Sequence, residues 1–384
     1  MASLAWQTER VSSRPRLLIL SISNIVSDPR VLKQVELFRD RYDVTTCGLG
    51  PAPAGVSQHL RIPDGARGWV DDRFAMLFRR YRQGYWKMSA VAAAKDMLPV
   101  GGFDVVLAND LNTVPLALSL NPPRGVHADL HEFAPREKED DLKWRLFVAP
   151  FMRWLCRRYL PQVASATTVA TGIAEEYQKD YGVHFTVVTN AAPYEERSPR
   201  PVGYPIRLIH SAAGQRYRRL ETFIEVMENA PEGVELDLIV VPNEPDYVAE
   251  LKQRGAGVQQ LRFRDPVPYS ELVSTVAEYD VALAFLPPTN FNLANALPNK
   301  FFEAVQARVG LIIGPSPEMK RILDRHGLGV STPDFSREAL HRVIRELTPA
   351  RVDEWKQAAD RAAHELSSER QVTGWASAID ALVE

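Results

Sequence analysis

The sequence predicts an α/β protein: two doubly wound, Rossmann-like domains facing each other across a cleft. Three observations predict it. The chain has 384 residues, more than one domain of ~150 residues holds. Short apolar or β-branched runs alternate with amphipathic stretches, the pattern of a parallel sheet wrapped by helices. The alternation stops between residues 191 and 207, where AAPYEERSPRPVGYPIR is dense in Pro, Arg and Glu with no apolar period, and then restarts. The expected domains are therefore 1–195 and 196–370.

In the first domain LLILS (17–21) reads as a strand and PRVLKQVELF (29–38) as the following helix, with Asp28 at its N-cap and Pro29 at its first position. Strand-like runs follow at Val44–Cys47, Val105–Ala108, Val126–His131, Ala166–Val169 and Phe185–Val188. In the second domain IRLIHSA, LDLIVVP, LRFRDP, VALAFLP and GLIIGP alternate with the helical stretches LETFIEVMENA, YVAELKQRG, SELVSTVAEY and NKFFEAVQA. Tandem doubly wound domains bind ligands between the carboxyl ends of their strands, so both halves should supply the site.

Composition removes several function classes. Lys+Arg 46 against Asp+Glu 48 leaves net −2, too balanced for a surface that tracks phosphate backbones, and no nucleic-acid partner is expected. Cys47 and Cys156 stand alone with no Cys-x-x-Cys, which gives neither a disulfide framework nor a zinc site and suits a reducing compartment. No apolar run nears the ~20 residues that cross a bilayer, and residues 1–16 have no apolar signal stretch. The expected location is cytoplasmic.

Gly48-Leu49-Gly50 mimics a dinucleotide fingerprint, but it follows the second strand, and Pro51 and Pro53 block the turn into a helix. There is no Gly-Lys-Ser/Thr loop, Gly-x-Ser-x-Gly elbow or His-Glu-x-x-His. His127 and His131 are four apart, but on a strand that separates them by ~13 Å, a poor metal pair. His131, beside Glu132, lies just past the strand where the cleft is expected; it either caps the strand end or serves an active site.

The most informative stretch is NALPNKFFE, 295–303. Pro298 sets the start of a helix whose first amides, at Asn299, Lys300 and Phe301, are open to an anion. Lys300 adds a mobile positive charge, and Glu303 sits about one turn later on the same side. A carboxylate there needs hydrogen-bond donors such as ribose hydroxyls. Taken alone the stretch reads first as an ordinary capped helix with a surface Lys/Glu pair. A second basic element, Arg216, Arg218 and Arg219, joins the first strand of the second domain to its first helix, placed to clamp a pyrophosphate or simply to be solvated.

These residues, in this order, resemble the family 4-type retaining glycosyltransferases of the GT-B fold. The likeness runs through SDPRVLKQVELFRDRYDVTTCGL, NDLNTVPLALSL and DLHEFAP in the first half and HSAAGQRYRRLETFIEV, RDPVPYSEL and LPNKFFEAVQARVGLIIGP in the second. It implies a nucleoside-diphosphate-sugar donor on the second domain, a glycan or lipid-linked acceptor on the first, no cofactor and no required metal. Glu303 would bind the donor ribose, the amides at Asn299 to Phe301 the phosphates, and Pro266 and Val267 would lie near the base. Arg218, assisted by Lys300, would neutralise the leaving diphosphate, Arg216 would stand in from the turn for the arginine that many members carry near Ala213, and His131 would lie near the transferred sugar, with Asn24, Asp110 and Glu132 on the acceptor side. The last segment, 371–384, would return to the first domain as a helix.

One departure concerns chemistry. The family's Glu-x7-Glu places its first glutamate at Asn295, which can hydrogen-bond sugar hydroxyls but supplies no negative charge. A sugar-nucleotide epimerase and a catalytically silent binding subunit remain open as alternative readings. On the acceptor side, residues 69–87 and 143–159 interleave aromatic residues with arginines. Basic aromatic helices either lie in an anionic membrane interface or pack beneath a domain with their charges in water.

Overall fold

The computed structural model describes residues 14–384. The first domain is a parallel sheet built from β1 (Arg16–Asn24), β2 (Asp43–Leu49), β3 (Gln58–Arg61), β4 (Val105–Asn109), β5 (Val126–Leu130), β6 (Ser165–Thr168) and β7 (Thr186–Val187), in spatial order β3-β2-β1-β4-β5-β6-β7. The second sheet is built from β8 (Ile206–Ala213), β9 (Val234–Val241), β10 (Leu261–Arg264), β11 (Val281–Ala284), β12 (Gly310–Ile313) and β13 (Gly329–Ser331), in the order β10-β9-β8-β11-β12-β13. This is the expected pair of doubly wound domains. Strand order reverses between β1 and β4 and again between β8 and β11, and crevices open at such switch points.

A parallel strand is covered on both faces, which is why β1 carries the unbroken apolar run Leu17–Leu20. Its side chains alternate between two cores: Leu18 and Leu20 join Val106 and Ala108, while Leu17 and Ile19 join Val105 and Leu107. Paired Cα positions put Leu17 beside Val44 on one side and Val105 on the other.

Two strands had no apolar signal. β3 (QHLR) and β13 (GVS) are polar or small edge strands, held by register with β2 and β12. Conversely, Phe185–Val188 contributes a ladder of only two residues, with Phe185 and Val188 in the core.

The last helix, Thr373–Val383, packs on the first sheet. Trp375 and Ile379, one turn apart, are buried against Val31, Val35, Phe38 and Val188, each burial contributing about 1.5–3 kcal/mol. Asp380 fastens the outer edge, accepting from Arg41 and the Tyr42 hydroxyl at 2.7 Å each.

The domains meet through the short helix Phe291–Ala294 of the second domain. Phe291 stacks edge-on to Phe133 with centroids 5.4 Å apart and lies under Arg136 at 4.4 Å. Asn292 reads the first-domain backbone, its Oδ1 accepting from the Phe133 amide at 2.8 Å. The segment after β5 therefore meets the loop after β11, and the crevice expected at the switch points of the two sheets lies beside this contact.

Candidate functional site

The second-domain wall is the loop from Phe285 to Pro298 and the helix Asn299–Gln306. Pro298 is extended (φ −71°, ψ 149°) and its side chain caps nothing, so early amides of the helix stay open. The Phe301 amide, however, donates to the Pro298 carbonyl at 3.0 Å. The expected set of three open amides is corrected to Asn299 and Lys300.

Lys300 is not the mobile charge its sequence position predicts. Its Nζ donates to the Ser211 carbonyl near the end of β8, which pins the ammonium at the switch point of the second sheet. Burial and the neighbouring Arg218 push it down to about 8, with Glu303 opposing. His210 lies alongside, fully enclosed. Its Nδ1 stands 2.8 Å from the Leu283 carbonyl, which can only accept, so that nitrogen carries the proton. Burial, then Lys300 and Arg218, hold the ring well below the usual histidine range, and it is neutral.

Glu303 is buried one turn into the helix and forms neither ion pair nor hydrogen bond with the described protein residues. Burial pushes its carboxyl up to about 7, against the pull of Lys300 and of Lys33 on the first-domain helix Pro29–Phe38. Tyr269 follows the Pro266–Val267 loop beyond β10 and senses the Glu303 charge, which raises its phenol further after burial.

The arginines of the strand-to-helix turn divide. Arg218, half-buried beside Lys300, is steadied by Gln215 at 3.3 Å. Arg216 corrects the expectation of a clamp: it turns outward, pairing with Glu250 at 2.6 Å and lying over the Tyr247 ring at 5.0 Å. Asn295 donates to the Phe291 carbonyl at 2.9 Å, and its Oδ1 lies against Gly172, where a Cβ would come within 2.2 Å. It therefore sits at the domain junction.

The first-domain wall is a buried polar network capped by His131. Arg30 clamps Asp129 with two bonds of 2.7 Å and also reaches the Val188 carbonyl and Asn190 at 2.9 Å. Gln34 bridges Asn109 at 2.9 Å and Asp129 at 2.8 Å, and Thr167 donates to Asp129 at 2.7 Å. Burial works against charge on Asp129, but Arg30 and His131 hold its carboxyl far below the usual range. His127 belongs to the underside of this network, bonded to Ser165 and Thr167 and pushed down to about 4 by burial.

His131 stands 3.5 Å from both Asp129 and Asp110, ion-pair rather than hydrogen-bond separations. Burial alone would depress its ring; the two carboxylates outweigh burial and raise it. Asp110 is held at φ +65°, a left-handed conformation that Asp tolerates, and its Oδ1 accepts from the His131 amide at 3.3 Å. Glu132 opens on the crevice, and surrounding protein with Glu137 and Asp110 pushes it up to about 7. Asn24 ends β1 and presses on Gly50, whose φ of +80° and lack of Cβ leave room for its side chain. Gly48-Leu49-Gly50 thus serves this close approach.

The structure groups Lys300, Arg218 and Glu303 at the helix start after Pro298 and His131, Asp110 and Glu132 at the end of β5. It adds Tyr269, His210 and Lys33, and the Arg30–Asp129–Gln34 support. Among the described residues no group of three or more His, Cys, Asp or Glu could hold a metal ion.

No protein-family model and no curated protein sequence matches the chain. Solved structures do. HepE of Anabaena, in complex with UDP-glucose, superposes with a TM-score of 0.68 at 14% identity over 96% of this chain and 100% of its own. Sucrose-phosphate synthase from Thermosynechococcus elongatus gives 0.71 at 12% identity over 96% and 99%. A glycosyltransferase from Rickettsia africae gives 0.69 at 9% over 97% and 100%. At these identities the likeness is one of fold, and the fold is the GT-B arrangement.

Proposed function

We propose that the chain is a glycosyltransferase that moves a sugar from a nucleoside diphosphate to a hydroxyl acceptor, with retention, in the manner of the family 4-type enzymes it resembles. One observation carries the reading: Lys300, Arg218 and Glu303 converge at an open helix start beside the switch point of the second sheet, with Lys33 of the first domain near enough to act on Glu303. Two fixed cations and open amides suit a diphosphate, whose charge grows as its bond to the sugar breaks, and such preorganised charge is the largest contribution to many rate enhancements. Glu303, free of protein partners, accepts from ribose hydroxyls.

In this reading the acceptor oxygen bonds to the anomeric carbon on the face that the diphosphate leaves, and the acceptor proton passes to the departing phosphate oxygen. His131 and Glu132 orient the transferred sugar and the acceptor. No protein nucleophile, cofactor or metal is needed. The acceptor is a glycan or lipid-linked sugar held by the first domain, used in glycan, polysaccharide or glycolipid assembly. HepE in complex with UDP-glucose makes UDP-glucose the first donor to try.

The test incubates the chain with UDP-sugars and with glycan or lipid-linked acceptors. Release of UDP with a glycosylated product supports the reading. A free epimer of the donor would make the chain an epimerase. Asn295 favours a second reading, a silent binding subunit, for which nucleotide binding and turnover would both be missing.

A further inference from the structure

The first domain carries a surface that sugar transfer does not use. Helices Arg73–Leu77 and Tyr81–Trp86 lie beside the helical turns Trp144–Val148 and Ala149–Tyr159. Their inward aromatics are core: Tyr81, Tyr85, Trp144 and Phe151 are buried, and Tyr81 packs edge-on to Phe151 at 5.7 Å. Sequence alone did not separate these from the rest. The others stand outward, with Trp69 64%, Phe74 74%, Leu77 58% and Phe78 64% exposed. Leu142, Leu146 and Phe147 are exposed on the neighbouring turns. A soluble surface seldom exposes so many large apolar side chains together.

Arginines border this apolar face and line a hollow of about 540 Å³ whose walls are Arg79, Tyr81, Arg153, Trp154, Arg157 and Arg158. A second hollow of about 540 Å³ continues past Arg80, Arg82 and Trp86. Among the described residues the guanidinium groups of Arg79, Arg153, Arg157 and Arg158 have no carboxylate or hydrogen-bond partner. Residues 143–159 carry Lys143 and four arginines and no carboxylate, in a chain of net −2. Unpaired guanidinium groups around a hollow are donors waiting for phosphate oxygens, and flanking apolar side chains suit the acyl layer beneath a headgroup.

We propose that this arginine hollow takes the phosphate headgroups of anionic phospholipids while Phe74, Leu77, Phe78 and Phe147 enter the acyl region, docking the first domain on an anionic bilayer. The helix Ala149–Tyr159 packs directly on Ala134–Arg136, three residues past His131, so docking sets the acceptor wall beside the lipid surface. Among the described residues no helix is long and apolar enough to cross a membrane, so the contact is peripheral. It deepens the acceptor side of the transferase reading but stands on this surface alone, and it can fail while that reading holds.

The experiment is co-sedimentation of the full chain with vesicles of phosphatidylcholine alone and of phosphatidylcholine mixed with phosphatidylglycerol. The chain should sediment with the anionic vesicles, less so as salt rises. Each arginine near the surface is worth about fivefold in partitioning, so Arg153→Ala with Arg157→Ala should lower it more than about tenfold. Phe74→Ser with Phe78→Ser, both exposed and therefore neutral for folding, should lower it comparably. Equal binding to both vesicle types, no vesicle binding, or wild-type binding by both double variants would overturn the proposal. Saturable binding of glycerol phosphate without vesicle binding would assign the hollow to a soluble phosphate and overturn the lipid source.

Discussion

Glu318 of the second domain caps a helix of the first: its carboxylate accepts from the amides of Thr171 and Gly172 at 3.1 and 2.8 Å. A carboxylate at a helix start satisfies two open amides and meets the positive end of the dipole. Gly172 has no Cβ to displace Asn295, which packs on the same turn. The cap therefore closes the domain junction directly beside the crevice. Glu318→Ala should destabilise the chain by about 1–2 kcal/mol, read as a lower urea midpoint, and Glu318→Gln by less. Equal midpoints for all three would mean that the cap contributes nothing.

The two ionisable groups at the start of the helix Asn299–Gln306 define a pH window for the proposed nucleotide site. Glu303, pushed up to about 7, accepts the stronger, charge-assisted bonds from hydroxyls only when ionised, and Lys300, pushed down to about 8, attracts phosphate only when protonated. Nucleoside diphosphate affinity should thus rise through pH 7 and fall above pH 8. Titration calorimetry across pH should show Glu303→Gln losing the acid limb and Lys300→Arg moving the basic limb upward. A flat profile for the wild type would remove these groups from the site.

Glu303 should also cost the empty chain stability. Its folded pKa, about 7, lies above its ordinary 4.5, so the native state holds the proton more tightly than the unfolded one. That favourable contribution is complete below pH 4.5 and lost as pH rises through 7, leaving by pH 8 a penalty on the order of 3 kcal/mol. Glu303→Gln should be more stable than wild type at pH 8 and lose the advantage toward pH 5, as measured by urea unfolding. A variant less stable at both pH values would show that the carboxylate is not a strained group.

Asp129 tests the floor under His131. Asp129→Asn leaves Arg30 buried with its ion pair broken, which typically costs 3–5 kcal/mol, and it removes one of the two carboxylates that raise the His131 ring. Denaturant melts should show the loss, and proton NMR of the His131 ring should show a lower titration midpoint. An unmoved midpoint would leave Asp110 as the sole influence.

Both sheets and the helix Asn299–Gln306 were legible because continuous apolar runs such as LLIL and VALA announce buried parallel strands, and Pro298 with Lys300 and Glu303 marks a helix start of unusual chemistry. The edge strands β3 and β13 were not, since each packs a single apolar side chain, Leu60 or Val330, on the core beside its hydrogen-bond register, too little to make a run. Arg216 and Arg218 are two apart in sequence, yet both lie in the 3-10 turn Arg216–Arg218, whose three residues per turn aim side chains two apart at different faces. The Arg30–Asp129 pair spans 99 residues, and no local pattern announces such a contact. His210 reads as one more residue of an apolar strand until Lys300 is found beside it.

The central claim is that the helix start at Asn299, with Lys300, Arg218 and Glu303, binds a nucleoside diphosphate. Titration calorimetry of uridine, guanosine and adenosine diphosphates into the wild-type chain and Glu303→Ala, at a pH between the two limbs, tests it most directly. Saturable binding of at least one of them by the wild type is expected, weakened about tenfold to a hundredfold in the variant through the loss of charge-assisted hydrogen bonds. Binding that Glu303→Ala leaves unchanged, or no binding of any of the three, would contradict it.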